Sequence, residues 1–174
     1  MKKSILGSLR FLLLSVIVFG GLYTAAVTGI GQLFFSDQAN GSQVTKNNQL
    51  VGSTLIGQEF KQAQYFSGRS EKVSQLSPVS SEQKNLVDAQ TKAELAKNPT
   101  EKNVPNDLVT ASASGVDPNI SLEAAEFQVS RISKERKVSQ QSIRTIIEEN
   151  SQKDWFSDRH YVNVLQLNLA LDKL

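Results

Sequence analysis

Apolar positions are distributed along this chain in two different ways. From Phe11 to Gly31 the sequence runs FLLLSVIVFGGLYTAAVTGIG, with Tyr23 as its single ionisable side chain. About 21 residues rising ~1.5 Å each span roughly 32 Å, the thickness of a bilayer's hydrocarbon layer, so the run predicts a transmembrane helix over residues 11–31. Residues 1–10 carry Lys2, Lys3 and Arg10, and the next cation is Lys46. Positive charge marks the cytoplasmic flank of a span, which makes 1–10 a cytoplasmic N-terminus and sends the remainder outside. A cleaved signal peptide shares the basic start and offers Thr24, Ala25 and Ala26 to a peptidase, but its apolar core is only ~7–15 residues long. Here the apolar run continues through Val27, Ile30, Leu33 and Phe34, which favours an uncleaved anchor. Gly21, Ala25 and Gly29 recur at four-residue spacing, as on a helix face that another helix backbone can approach closely.

Beyond Phe35 the pattern is that of a water-soluble domain. SDQANGSQVTKNNQ is rich in turn formers and reads as a linker over 32–49. Leu50 to Ile56 reads as a strand interrupted by Gly52, with a tight turn at Gly57 leading into Gln58 to Phe60. The tract from Lys72 to Asn103 is polar, yet Leu86, Ala89, Ala93 and Ala96 step by three and four. They predict a modest helix over Ser81 to Lys97, closed by Asn98 and Pro99. Asp117 and Pro118 mark a turn, Ser121 is placed to cap a helix, and Leu122, Ala125, Val129 and Ile132 form its stripe. Ser139 caps a second helix, stapled by Val138 and Ile143 and continued by Ile146 and Ile147, giving a helical hairpin. In HYVNVLQLNLALDKL, Val162 and Val164 alternate on one parity and Leu165, Leu167, Leu169 and Leu171 on the other. Either a bulge or a strand-to-helix change lies near Leu165. Strands near both ends with helices between them predict an α+β extracytoplasmic domain over 50–174, behind a single N-terminal transmembrane helix.

Charge and rare residues narrow the chemistry. The net charge is +2, but three of the 19 basic residues precede the apolar run, and the 17 acidic residues outnumber those that remain by one. The basic balance belongs to the N-terminus, and no Lys/Arg cluster of the kind that displaces counterions from nucleic acid is present. With no cysteine and one histidine, disulfides, thiolate metal sites and zinc clusters are excluded.

Two motifs invite catalytic readings. VGSTLIGQEF has the glycine spacing of a phosphate-binding loop, but Gln58 and Glu59 stand where lysine and a hydroxyl residue would neutralise phosphate and ligate magnesium. A turn with close backbone packing suits it better. Ser112 or Ser114, Asp117 and His160 could form a hydrolase triad if the fold united them, although no GxSxG elbow is present. The plainer reading of SASGVDP is a sharp turn in which Gly115 takes positive φ and Ser and Asp side chains satisfy backbone groups.

GSTLIGQEF, YFSGRS, VPNDLVTASASGVDPNIS, AAEFQVSRISKER and VNVLQLNLALD, in this order behind one membrane helix, resemble the C subunit of the Kdp potassium-transporting ATPase. The motif positions within these blocks are Gly52, Gly57, Gln58, Arg69, Ser112, Ser114, Gly115, Asp117, Pro118, Asn163 and Asn168. Two departures from the family's habit are present: Ser70 and Glu71 follow Arg69 in place of Pro and Ser, and Asn119 stands where histidine is common. The resemblance implies an accessory, non-catalytic subunit of an ATP-driven potassium importer. Its partners would be a channel-like ion-translocating subunit and a P-type ATPase subunit, with ATP and potassium acting at the level of the complex. It also implies the family's description as a catalytic chaperone that raises the ATP affinity of the ATPase subunit. An outer domain does not meet cytoplasmic ATP, so the topology favours a role in assembling the complex or gating its outer potassium entrance. The alternative is an independent membrane-anchored binding protein or serine hydrolase.

Overall fold

The computed structural model describes residues 2–70 and 76–174, so Glu71 and Lys72 of the sequence readings lie outside the described residues. The chain divides into two compact units, Met1–Gln43 and Val44–Leu174.

The first unit is one apolar rod followed by a short turn of helix. Helix α1 (Lys2–Ser15) runs into a π-helical stretch, Val16–Tyr23, and then into α2 (Thr24–Phe34). Together they give a helix over Lys3–Phe34, 32 residues long, none of whose most apolar window is buried. It extends past both ends of the hydrophobic run because helical hydrogen bonding needs no apolar side chains, and Lys and Leu are good helix formers. The π stretch contains the Gly20–Gly21 pair, and at its end the Thr24 hydroxyl donates to the Phe19 carbonyl at 2.9 Å. A short α3 (Ser36–Ala39) follows.

The second unit opens with a hairpin that the linker reading did not contain, β1 (Gln43–Lys46) against β2 (Gln49–Ser53). Asn47 and Asn48 take φ of 52° and 61°. Two consecutive left-handed residues are what a tight two-residue hairpin requires, and asparagine tolerates them. Strand β2 stops before the predicted Ile56 because Ser53 Oγ accepts from Leu55 N–H at 3.1 Å and turns the chain.

Helix α4 (Ser81–Lys97) forms as the spacing predicts, capped by Ser80, whose side chain accepts from the Gln83 amide. After α5 (Asn106–Val109) comes a three-stranded antiparallel sheet in the order β3 (Asn119–Ser121), β5 (His160–Asn163), β4 (Ser151–Lys153). Its register pairs Ile120 with Val162 and Ser151 with Val162.

The helix predicted after Ser121 is two helices, α6 (Leu122–Glu126) and α7 (Val129–Arg136). The cause is Gln128, whose Nε2 donates to the Ala124 carbonyl at 3.0 Å. In a continuous helix that carbonyl would receive the Gln128 backbone N–H. The backbone amide bonds Ala125 instead, one residue short, and the ladder breaks there. Helix α8 (Gln140–Glu149) begins as predicted at Ser139, whose side chain accepts from the Ser142 amide. Near Leu165 the chain changes from strand to helix: β5 ends at Asn163, and α9 (Val164–Leu171) starts at once. On a helix Leu167 and Leu171 share a face, and both are fully buried with Phe66, Ile120, Ile132, Ile143 and Val162 in one core.

Candidate functional site

Two asparagines of the C-terminal block hold distant segments together. Asn163 caps α9 through Oδ1, which accepts from the Gln166 amide at 3.2 Å, while its Nδ2 donates to the Thr54 carbonyl at 2.7 Å. Asn168, five residues on, is 2% exposed and faces the fully buried Phe66. Its Oδ1 accepts from Phe66 N–H at 2.8 Å and its Nδ2 donates to Phe66 C=O at 2.9 Å. One side-chain amide thereby satisfies both backbone groups of a buried residue, as a neighbouring strand would.

The turn SASGVDP closes on the same region. Gly115 has φ of +73°, as its place in the turn anticipated. Ser114 Oγ accepts from Val116 N–H, Ser112 Oγ lies 3.4 Å from Ser114 Oγ, and Asp117 Oδ1 accepts from Asn119 N–H at 3.0 Å. Pro118 lends its carbonyl to Val164 N–H at 2.9 Å, joining the turn to the start of α9. Gly57 N–H donates to the Val116 carbonyl at 2.7 Å, and a Cβ built on Gly57 would stand 2.6 Å from the Asp117 carbonyl oxygen. A Cβ on Gly52 would meet Gln58 Oε1 at 2.8 Å. Gly57 therefore serves close packing of backbone against backbone, whereas at Gly52 the neighbours are the ends of the Gln58 and Leu165 side chains.

Arg69 lies within this cluster. Its guanidinium is 3.7 Å from both Asp107 and Asp117, and Nη2 donates to Thr110 Oγ1 and to the Ala111 carbonyl. Asp107 also accepts from the Ser121 amide at 2.7 Å, so the arginine ties the aromatic block to the entry of α6. The cavity left between Gly57, Gln58, Arg69, Gly115, Asp117 and Pro118 measures about 10 Å³, room for roughly one water. A cleft of about 690 Å³ opens beside it, lined by Phe60, Tyr65, Arg69, Glu94, Lys97 and Arg131 among others. Glu94, 3% exposed, binds Lys97 at 2.6 Å through Oε1.

Among the described residues, His160 makes no hydrogen bond to Ser112, Ser114 or Asp117. His160 Nδ1 lies 3.4 Å from Ser151 Oγ at the outer end of β5, whereas Ser112 is bonded within its own turn. Gly21, Ala25 and Gly29 belong to the first unit. Gly21 is in the π stretch while Ala25 and Gly29 are in α2, so only the second four-residue step follows α-helical geometry throughout. A Cβ at Gly21 or Gly29 would meet nothing within 4 Å.

Several residues at the centre of this architecture escape a reading of local pattern. Arg131 donates to Asn98, Gln128 and the carbonyls of Ala63 and Tyr65. Burial pulls its pKa below the ordinary arginine value, against the opposing charges of Glu94 and Glu135. Gln128 bonds Ser67 through both ends of its amide. Asp172 accepts from Arg136 and Lys46, each at 2.8 Å, and from the Tyr65 hydroxyl at 3.3 Å, while Arg136 stacks over the Tyr65 ring at 4.9 Å. A glutamine inside an otherwise apolar stripe is the one local signal that could have found any of them.

The blocks that the sequence isolates are thus one hydrogen-bonded body, and comparison with known proteins shows the family. The profile of the family described as "KdpC: K+-transporting ATPase, c chain" matches residues 5–173. The chain is 40% identical to the potassium-transporting ATPase KdpC subunit of Herminiimonas arsenicoxydans over 99% of each chain. It is 37% identical to that of Mycobacterium tuberculosis (strain H37Rv) over the full length of both, and 38% identical to that of Enterobacter sp. (strain 638) over 94% of this chain and 93% of the relative. Coverage of this extent leaves no major segment unmatched, and the chain belongs to the family of the c chain of the K+-transporting ATPase.

Proposed function

We propose that this chain is a non-catalytic subunit of an ATP-driven potassium importer. It would act by holding the assembly together, with residues 11–31 spanning the membrane, 1–10 in the cytoplasm, and the second unit, Val44–Leu174, outside. The relatives are named as subunits of a potassium-transporting ATPase, which supports an accessory place beside an ATPase subunit and a channel-like subunit. The observation that carries the structural role is the fate of the glycine loop. The backbone that would cradle a phosphate is occupied by the chain itself: Gly57 N–H donates to the Val116 carbonyl, and a Cβ at Gly57 would fall 2.6 Å from the Asp117 carbonyl oxygen. ATP and potassium are then handled by the complex, and any rise in ATP affinity reaches the ATPase subunit through subunit contacts. Packing of Gly21, Ala25 and Gly29 against a helix of the channel-like subunit would supply one of them, because small residues allow the close approach on which helix association in lipid depends.

Affinity purification of the full chain from potassium-starved cells tests this reading. The ATPase and channel-like subunits should copurify, and Gly21→Leu with Gly29→Leu should release them while the chain stays in the membrane. Leucine at Val18 and Thr28 should be tolerated. A wild-type chain that purifies alone would refute membership of the assembly, and normal assembly of the glycine variants would assign recruitment to the outer domain.

A further inference from the structure

The turn between β4 and β5 presents the largest apolar side chains of the second unit to solvent, Trp155 at 94% exposure and Phe156 at 98%. They are not on a slack loop. Asp154 N–H donates to the Arg159 carbonyl at 2.9 Å, and the Asp154 carboxylate accepts from Phe156 N–H at 3.2 Å and from Ser157 Oγ at 2.8 Å. Ser157 Oγ in turn accepts from Arg159 N–H at 3.3 Å, and Lys153 pairs with Asp158 at 2.7 Å. The bond from Ser157, ahead of the Phe156 amide, holds the Asp154 pKa below the ordinary carboxylate value. Both carboxylates of the turn are therefore engaged within it, Asp158 by Lys153, and the tip offers an indole and a phenyl ring with the cation Arg159 beside them.

We propose that Trp155 and Phe156 form an interfacial membrane anchor, inserted among the headgroups of the bilayer that holds the N-terminal span. The inference rests on the reading of that helix as a span. Tryptophan suits the headgroup zone because its ring is apolar and its N–H finds a polar partner there. Two side chains bind a bilayer too weakly to retain a freely diffusing protein. A tethered domain needs less, because a short link raises the effective concentration of the second site to the millimolar range. Between Phe34 and Val44 nine residues, four of them helical, reach on the order of 20 Å, less than the ~30 Å diameter of a small domain, so the second unit stays tethered close to the bilayer. At that range the headgroups are always available to an exposed turn, whereas a protein partner would have to supply a pocket for the same two rings.

Trp155 is the single tryptophan of the chain, so its emission reports the tip alone. The full chain is reconstituted in phosphatidylcholine vesicles with plain or brominated acyl chains, and flotation of the vesicles reports the span. The expected result is flotation with blue-shifted emission, most of which is lost in brominated lipid. Phe156→Ser should restore much of that emission and Phe156→Leu should not. A chain that floats but emits as water-exposed indole, indifferent to bromine, overturns the anchor and leaves the span intact. A chain that fails to float overturns both. Fluorine-labelled Trp155 that becomes shielded only when the other subunits are added would assign the rings to a protein pocket and overturn the lipid site.

Discussion

Replacing Asn168 by leucine should be among the most damaging single changes in the second unit. The two side chains are similar in size, so the change removes bonding with little change of volume. What it strips is the pair of partners of Phe66, whose N–H and C=O are held at 2.8 and 2.9 Å in a site where Phe66 is fully buried. An unsatisfied buried backbone group costs ~1–3 kcal/mol, so the two together should cost ~2–6 kcal/mol. Against a total stability of ~5–15 kcal/mol, that is a large share. With a urea slope near ~2 kcal/mol per molar, the midpoint should fall by ~1–3 M. The assay is a urea titration of the full chain in micelles followed by far-UV circular dichroism, together with hydrogen exchange at the Phe66 amide. Asn168→Asp provides the decisive comparison. It keeps an acceptor for Phe66 N–H but sets a carboxylate oxygen against the Phe66 carbonyl, so it should be at least as harmful despite its polarity. A leucine variant within ~0.5 kcal/mol of the parent, with the Phe66 amide still slow to exchange, would refute the reasoning.

Three further outcomes are expected. Gly57→Ala should destabilise the domain by ~1–3 kcal/mol, because the new Cβ meets the Asp117 carbonyl, which is backbone and yields little, and a neutral alanine variant in the same titration would remove the close-packing account of the glycine loop. At Asp172 burial raises the carboxyl pKa, but hydrogen bonds from Arg136, Lys46 and Tyr65 outweigh it and leave the pKa lowered. The stability this adds is fully present above the unfolded value of ~3.9 and is lost as pH falls through the folded value, so Asp172→Asn should be less stable at neutral pH and lose less on acidification. An acid limb of unchanged slope in the variant would assign the acid sensitivity elsewhere. A cysteine at Ser42, in a chain that has none, should react with an impermeant maleimide in intact cells, and labelling only after lysis would reverse the topology.

What the sequence makes legible is whatever depends on near neighbours. Ser121 and Ser139 cap helices because a short hydroxyl beside a free amide is a local arrangement, and each accepts from the amide three residues on. The limits of α4 and the positive φ of Gly115 have equally local causes. The hairpin at Asn47–Asn48 has a local cause too, since paired asparagines between short strands are a turn signal, but the polar composition around it reads equally as a linker. Gln128 breaks its helix through a side chain that must also reach Ser67, 61 residues earlier, and no window of the sequence contains both.

The candidate site follows the same division, and the division explains what the family blocks have in common. As short motifs they suggest chemistry: a phosphate loop, a serine nucleophile, an arginine. In the fold each is completed by another block: Gly57 by Val116, Asn163 by Thr54, Asn168 by Phe66, and Arg69 by Asp107 and Asp117. A polar residue whose partner lies a hundred positions away has the same sequence signature as one that awaits a substrate, because both are polar side chains that the local structure does not need. Burial separates the two cases. Asn163 at 6% and Asn168 at 2% exposure have both the oxygen and the nitrogen of the side-chain amide bonded from within, which makes them fixtures of the fold.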